Sequence, residues 1–299
     1  MSTELAKTAL VIPVHNRRDI TLRGLRSLAR INRFGLNVRI FVIDDGSTDG
    51  TSGAISEEFP EVELIQGDGS LHYAGGTNRG IEAALDWGAE YVVTMNDDAV
   101  FHENFLQQLV STARRLPDTI VGALLLLWNE PHRVFQVGLR WRSASGGWVI
   151  PEDLTAFSVP KEAFDVECIV GNCVLFPSAA LRENGLLDER NFPFGWGDAQ
   201  LLMRMRKAGW RLVVEPRSRV WCEPNTNPAP LHKQGFVAAG KALLLNERHP
   251  LNLRRQFTAL WYSAPSKPKA IYAFMAYLTR LMLKAVRIQP FAGTNRGLV

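Results

Sequence analysis

The chain has 299 residues, 46% hydrophobic and 21% charged, an ordinary globular composition long enough for one large α/β domain or two small ones. Its net charge of +4 is unevenly spread: residues 1–247 hold all 30 acidic side chains and 25 of the 34 basic ones, a net of −5, whereas residues 248–299 hold nine Lys/Arg and no acid. That excludes nucleic acid as the expected partner of the main domain and points the tail toward an anionic surface.

Thr8-Ala9-Leu10-Val11-Ile12-Pro13 predicts a strand that stops at proline, followed by a helix with Leu22, Leu25, Leu28 and Ile31 on one face. Residues 39–43 predict a second strand, ending in Asp44-Asp45-Gly46-Ser47, with Thr48 or Asp49 capping a short helix. Residues 62–65 predict a third strand that runs into a glycine-rich loop over 67–76, and residues 77–87 a helix carrying Ile81, Ala84 and Leu85. Tyr91-Val92-Val93-Thr94-Met95 has the apolar continuity of a strand covered on both faces and ends at Asn96-Asp97-Asp98. A helix with Phe105, Leu106, Leu109 and Val110 follows. This β-α-β-α-β-α-β order predicts a parallel sheet with right-handed crossovers.

The second half is less regular. Residues 121–128 predict a strand, residues 129–165 a long excursion rich in Trp, Gly, Ser and Pro, and residues 168–176 a return to the sheet. A short helix over 178–184 is stopped by Gly185. An aromatic, glycine-rich loop leads from Phe192 to Asp198, which opens a helix with Leu201, Leu202, Met205 and Ala208 inward; residues 211–215 predict a further strand. In the tail, residues 270–288 predict a helix with Ile271, Phe274, Met275, Leu278, Leu281, Met282 and Ala285 on one side and Arg280, Lys284 and Arg287 as its cations.

Each polar cluster of the first half follows a strand's C-terminal end: His15-Asn16-Arg17, Asp44-Asp45, Asp68 and Asn96-Asp97-Asp98. Open α/β sheets bind ligands at that edge. Two adjacent carboxylates ending a buried strand need compensation, because an unpaired buried charge costs several kcal/mol or more. Capping of the helix after Glu103 would leave four residues between, so a site for Mg2+ or Mn2+ shared with a diphosphate is the better reading; such ions need only one or two carboxylates beside phosphate oxygens. Asn78 and Arg79 read as phosphate contacts at a helix start. Asp44-Asp45-Gly46-Ser47 is either a tight turn or a carboxylate and glycine meeting a pyrimidine base, and Asp68 has the same two readings. Asp198 is either a helix N-cap or a base kept ionised by the helix start, and the two are compatible. Phe192, Phe194 and Trp196 divide between core and a platform for a sugar face.

Other chemistries lack their residues. Cys168, Cys173 and Cys222 form no CxxC pair and suggest a reduced compartment, and His15 and His72 lack the spacing of zinc ligands. There is no P-loop motif, no GxGxxG after the first strand and no GxSxG elbow. With no secretory signal at Met1-Ser2-Thr3-Glu4 and no apolar run near the roughly 18 residues that span a bilayer, the expectation is a cytoplasmic protein.

The motifs resemble family 2 glycosyltransferases of the GT-A fold, in particular bacterial rhamnosyltransferase-like polysaccharide enzymes. The matching segments, in family order over about residues 8–225, are Val11 to Arg17, Val42 to Thr51, Gly67-Asp68-Gly69 through Ala74 to Gly80, Met95 to Ala99, Gly171 to Phe176, and Gly185 to Glu189 through Asp198 to Trp210. The resemblance implies a Rossmann-like, mostly parallel sheet with helices on both faces, followed by a helical tail. It divides the chain into a glycosyltransferase domain over 1–246 (nucleotide half about 1–120, acceptor half about 121–246) and a basic extension over 247–299. It also implies a UDP- or dTDP-sugar donor, Mg2+ or Mn2+, inversion at the anomeric carbon and a saccharide or lipid-linked acceptor. Residue by residue, it assigns donor contacts to Pro13, His15, Asn16, Arg17, Asp45, Asp68, Gly69, Gly76, Asn78, Arg79, Asn96 and Asp97, with Asp45 and Asp68 at the nucleoside. Asp98, with Asp97, holds the metal; Gly171, Asn172, Trp196 and Gly197 meet the acceptor; Asp198 is the base.

Four positions, in three motifs, depart from the family pattern. Asn96 stands at the first acid of the metal motif, Gly197 precedes the base and Gln200 replaces a following acid, and Cys222 stands where many relatives have histidine. These departures keep open a non-catalytic nucleotide-sugar binding protein. A sugar nucleotidyltransferase would carry a glycine-rich basic loop where His15-Asn16-Arg17 stands. The tail helix packs on the domain or on a second copy in a homo-oligomer, or it is a peripheral anchor on an anionic leaflet at the inner face of the cell membrane.

Overall fold

A computed structural model describes residues 5–142, 147–149, 151, 153–223, 236–246 and 248–285. They form two compact units, one of residues 1–138 and 151–224 and the other of residues 139–150 and 225–299. Compactness therefore groups 236–246 and a stretch of the excursion with the tail, where the resemblance set a boundary after 246.

In the first unit β1 (Ala6–Val14), β2 (Leu36–Asp44), β3 (Glu63–Gln66) and β4 (Tyr91–Met95) are parallel, in the order β4-β1-β2-β3. Between them run α1 (Arg18–Leu28), α2 (Thr51–Glu58) and α3 (His72–Asp86). Strand alternation feeds two cores. Leu10, Ile12, Ile40, Val42 and Val93 join Leu22, Leu25 and Leu28 of α1 and Ile55 of α2 in one. Ala9, Val11, Phe41, Ile43 and Val92 join Ala74, Ile81 and Ala84 of α3 in the other. Each large aliphatic side chain buried this way contributes about 1.5–3 kcal/mol, which is why these strands carry no polar face.

The chain continues with β5 (Ala99–Phe101), α4 (Phe105–Arg115), β6 (Thr119–Leu127), β7 (Val134–Gln136), β8 (Arg140–Arg142), β9 (Gly147–Val149), β10 (Phe164–Asp165), β11 (Cys173–Pro177), α5 (Ser178–Asn184), α6 (Gly197–Lys207) and β12 (Arg211–Cys222). The main sheet has ten strands in the order β10-β12-β6-β11-β4-β1-β2-β3, with β5 beside β12 and β7 beside β6. β11 is antiparallel to both β4 and β6, so its first residue, Cys173, lies opposite the last residue of β4, Met95. This brings the second half of the unit to the ligand edge of the first.

Three elements depart from expectation for local reasons. α3 begins at His72, inside the expected glycine-rich loop. Its glycines serve packing: a Cβ on Gly80 would lie 2.5 Å from Ile43 Cδ1 and one on Gly76 3.2 Å from Pro13 Cβ, so glycine lets the helix settle on β1 and β2. β12 does not end before Pro216 but absorbs it where the pairing register with β6 shifts, between Glu215 and Arg219. β11 starts only at Cys173, which leaves Gly171 and Asn172 in a turn at the sheet edge.

In the second unit β8 and β9 form a hairpin, accompanied by α7 (Phe236–Leu244), α8 (Leu253–Ser263) and α9 (Lys267–Ala285). Trp148, 3% exposed, donates its indole N–H to Ser263 Oγ at 2.9 Å. Phe257 of α8 meets Phe274 of α9 edge-on at 5.1 Å. α9 turns Ala270, Ala273 and Tyr277 inward, the i, i+3, i+7 face, and leaves Ile271, Tyr272, Met275 and Met282 exposed. The inner face is thus the small one, and much of the expected apolar side faces out. Residues 286–288 of the expected helix lie outside the described residues. Among the described residues no helix is long and apolar enough to cross a membrane.

Candidate active site

The loops after β1 and β2 are zipped together. His15 Nδ1 lies 2.6 Å from the Asp45 carbonyl, and the Asn16 amide nitrogen 3.0 Å from His15 Nε2, so the tautomer with the proton on Nδ1 satisfies both contacts. Asn16, at φ 53°, donates its N–H to Ser47 Oγ and accepts from Thr48 N–H with its side-chain oxygen at 2.7 Å. Asp44 is fully buried; Oδ1 accepts from Ser47 N–H at 2.9 Å and Oδ2 from the Ser52 hydroxyl. It is the turn-forming member of its pair.

Asp45 organises the next loop. Oδ1 accepts N–H bonds from Gly69 (2.8 Å) and Leu71 (3.2 Å), and Oδ2 one from His72 (2.8 Å). Gly46 must be glycine here: it sits at φ 69° and a Cβ would fall 2.9 Å from Gly69 N. Asp68, at the tip, is exposed and bonds its own turn, Ser70 N–H at 2.9 Å and the Ser70 hydroxyl; those bonds hold its carboxyl below the usual range. Of the two candidates for a nucleoside, Asp45 is engaged with backbone and Asp68 is presented at the surface.

The α3 residues divide likewise. Asn78 is not at the helix start but in the second turn, 9% exposed. Its side chain donates to Leu187 C=O and accepts from Leu187 N–H, both at 2.9 Å. It clamps the loop after α5 to α3, while its neighbour Arg79 is exposed.

At the end of β4 the two carboxylates differ. Asp97, 7% exposed, accepts from Arg17 Nη1–H at 2.9 Å and from the Thr21 hydroxyl at 3.3 Å. Burial pushes its carboxyl up to about 6, against the opposing pull of Arg17. Asp98 Oδ2 accepts from Arg17 Nη2–H at 3.2 Å, and its Oδ1 is buried with no partner among the described residues. A buried carboxylate oxygen without a donor is the feature a bound cation would satisfy. Among the described residues no three His, Cys, Asp or Glu side chains converge into a site that could hold a metal, so an ion at Asp98 would take most of its oxygens from a diphosphate and water. Asp98 therefore fits an Mg2+ or Mn2+ ion carried with a phosphorylated ligand. Cys222 is fully buried beside it, its thiol pushed up to about 12 by burial and then by the charge of Asp98, with a hydrogen bond to Asn172 opposing. It is a protonated packing group at neutral pH.

Asp198 reaches the same edge from the second half. Trp196, at φ 68°, precedes α6, and Asp198 is the second residue of that helix; it does not occupy the N-cap position. The carboxylate packs directly over Gly171, whose Cβ, if present, would overlap Oδ2 and lie 2.5 Å from Cγ. The adjacent Asn172 accepts Asn96 N–H at 3.1 Å through its carbonyl. One continuous line thus runs Asp198, Gly171, Asn172, Asn96, Asp98. Phe192, 2% exposed, is core, whereas Phe194 and Trp196 are half-buried and Phe194 lies on the His72 ring at 4.6 Å.

Some participants are invisible in the motifs. Thr21 holds Asp97 from the inner face of α1, where spacing marks it only as core. Burial raises the Tyr73 phenol, with the charges of Asp198 and then Asp98 adding to it; in the sequence it lies among loop glycines with nothing to single it out. The Glu223 N–H bonds the Asp98 carbonyl at 3.3 Å and its side chain pairs with Arg23.

The chain is similar to known proteins in sequence and in fold. Two Mycobacterium tuberculosis proteins (strains CDC 1551/Oshkosh and ATCC 25618/H37Rv), each named N-acetylglucosaminyl-diphospho-decaprenol L-rhamnosyltransferase, are 29% identical over 205 residues, 61% of this chain and 66% of theirs. The chain thus matches just under two thirds of those relatives. Among solved structures, GalNAc-T7 with UDP, GalNAc and Mn2+ superposes with a TM-score of 0.63 at 14% identity, over 96% of this chain and 59% of that one. A Pyrobaculum calidifontis mannosyltransferase with GDP-Man and Mn2+ gives 0.55 at 17% identity, over 96% and 74%. Staphylococcus aureus TarS 1-349 with UDP gives 0.56 at 13%, over 94% and 90%. These likenesses show the fold, which is GT-A. The glycosyl transferase family 2 model matches residues 9–176, more than half of the chain, and the chain belongs to that family.

Proposed function

We propose that the chain transfers a glycosyl group from a UDP- or dTDP-sugar to an acceptor hydroxyl with inversion, in bacterial cell-surface polysaccharide synthesis. The observation that carries this reading is the continuity from Asp198 through Gly171 and Asn172 to Asn96 and Asp98, which sets a candidate base and a candidate metal carboxylate on one ligand edge. Asp198 accepts the proton of the acceptor hydroxyl as its oxygen bonds the anomeric carbon; the bond from that carbon to the diphosphate oxygen breaks, and the nucleoside diphosphate leaves. A Mg2+ or Mn2+ ion at Asp98 would supply positive charge to that leaving group. Exposed Asp68 is the residue offered to the nucleoside, and Asp45 shapes the loop that presents it. Gly171, Asn172, Trp196 and Gly197 border the acceptor side. The diphospho-decaprenol in the relatives' name favours a lipid-linked acceptor.

The exposed apolar face of α9 and the acid-free sequence after residue 247 support a peripheral contact with an anionic membrane from the cytoplasmic side. The test of the transfer reading is nucleoside diphosphate release from a panel of UDP- and dTDP-sugars with saccharide and lipid-linked acceptors, for the wild type and Asp198→Asn. Release by the wild type alone is expected. Equal release by both would remove Asp198 as base, and no release with any donor would favour a binding protein.

A further inference from the structure

Asp97 and Asp98 share one partner, Arg17, yet stand in different states. Asp97 has both oxygens engaged by protein donors, Arg17 and Thr21. Asp98 gives one oxygen to Arg17 and keeps a buried second oxygen without a partner among the described residues. The same first turn of α1 sets both donors, since Thr21 N–H bonds the Arg17 carbonyl at 2.9 Å. The Arg17 side chain, 38% exposed, is therefore a cation already seated on the carboxylate pair, with part of its surface open to an arriving anion.

We propose that Arg17 is a tethered countercation that neutralises the Asp97–Asp98 pair in the absence of ligand and makes metal binding at Asp98 conditional on the donor's diphosphate. The inference rests on the reading that diphosphate and metal meet at Asp98. Its physical basis is charge. Two carboxylates and one guanidinium leave a single net negative charge, and a divalent ion at Asp98 Oδ1 meets the repulsion of Arg17 bonded to the other oxygen of the same carboxylate. A diphosphate arriving with the ion reverses that repulsion, because Arg17 then faces an anion as well. Arginine suits this role because its planar fork spans two carboxylates at once and it does not lose its proton, whereas a lysine would bridge them as a point charge. The lack of a three-residue cluster of metal-ligating side chains among the described residues adds to the same conditionality.

The experiment is a Mn2+ titration followed by electron paramagnetic resonance of the free ion, with Mn2+ alone and with UDP or dTDP added, for the wild type and Arg17→Met. The wild type is expected to bind Mn2+ alone about tenfold or more weakly than with nucleoside diphosphate, and Arg17→Met to bind Mn2+ alone about tenfold more tightly than the wild type. Arg17→Met affinity for Mn2+ alone that equals or falls below the wild type overturns the inference. If the unpaired Asp97 prevents Arg17→Met from folding, the same comparison in an Asp97→Asn background, with and without Arg17→Met, decides it. A wild type that binds no Mn2+ with either nucleotide overturns the Asp98 reading and this inference with it. Binding with nucleotide but no response to Arg17→Met overturns the inference alone.

Discussion

Gly171→Ala is expected to displace Asp198 while leaving the fold intact. The Asp198 carboxylate lies where a side chain at 171 would be: a Cβ there would overlap Oδ2 and fall 2.5 Å from Cγ and 2.7 Å from Cβ of Asp198. Optimal carbon–carbon separation is about 3.5–4.0 Å, so the carboxylate has to retreat by about 1 Å or turn to another rotamer. Gly171 is not in the left-handed region, so alanine is allowed by the backbone and the strain falls on one partly exposed side chain. A 1 Å misplacement of a reacting group costs on the order of 100-fold in rate, about 2.7 kcal/mol of barrier. Steady-state nucleoside diphosphate release should show kcat lowered by that amount with the donor KM little changed, and circular dichroism and the Tm should report a folded chain. Combining Gly171→Ala with Asp198→Asn should add little to the loss from Asp198→Asn alone, because both remove the same function. A folded Gly171→Ala variant with kcat within about threefold of the wild type would refute the reasoning.

Asn78→Ala should destabilise the chain by about 2–4 kcal/mol in urea unfolding, because the Leu187 N–H and C=O are left buried without their two 2.9 Å bonds; a loss under about 0.5 kcal/mol would mean that the loop after α5 is held by other contacts. Gly80→Ala should cost roughly 3 kcal/mol by forcing α3 off Val11 and Ile43, read as a fall in the urea midpoint at unchanged slope. Asp97 gives a pH signature. Its carboxyl is raised from 3.8 to about 6, so between those values the folded chain holds more protons than the unfolded one, and this group's stabilising contribution is lost as pH rises through the window. In chelator, Asp97→Asn should remove a slope worth up to about 3 kcal/mol between pH 4 and 6.5; identical profiles for both proteins would remove the assignment. Met275→Glu with Met282→Glu, both at exposed positions of α9, should weaken sedimentation with anionic liposomes at least about tenfold by putting two charges on the contacting face, and unchanged binding would exclude that face.

Asp97 and Asp98 illustrate how adjacent residues part company. In the turn after β4 the Asp97 carboxylate is held by both Thr21 and Arg17, whereas Asp98 shares only Arg17 and keeps one buried oxygen without a partner among the described residues. No spacing rule distinguishes them, because the deciding atoms belong to a helix some 80 residues earlier. Asn78 and Gly76 are parallel cases. Their motif positions suggest donor contacts, whereas their atoms join α3 to the loop at Leu187 and to Pro13 of β1.

By itself the sequence determined the α/β architecture, because apolar strands that alternate between two cores and helices with one apolar face follow from periodicities that need no distant partner. It also placed the polar clusters of the first half at one edge, since residues after the C-terminal ends of parallel strands share it. Only the tertiary structure decided how the polar residues divide between holding loops and standing exposed at the edge. Asp45 is turned to three backbone N–H groups and Asp68 is left exposed. Asp198 is brought to the line that ends at Asp98 because β11 runs antiparallel beside β4 and starts at its final residue. The physical reason is range: periodicity and turn chemistry act over a few residues, whereas the environment of a carboxylate is set by whichever segments the sheet order brings against it.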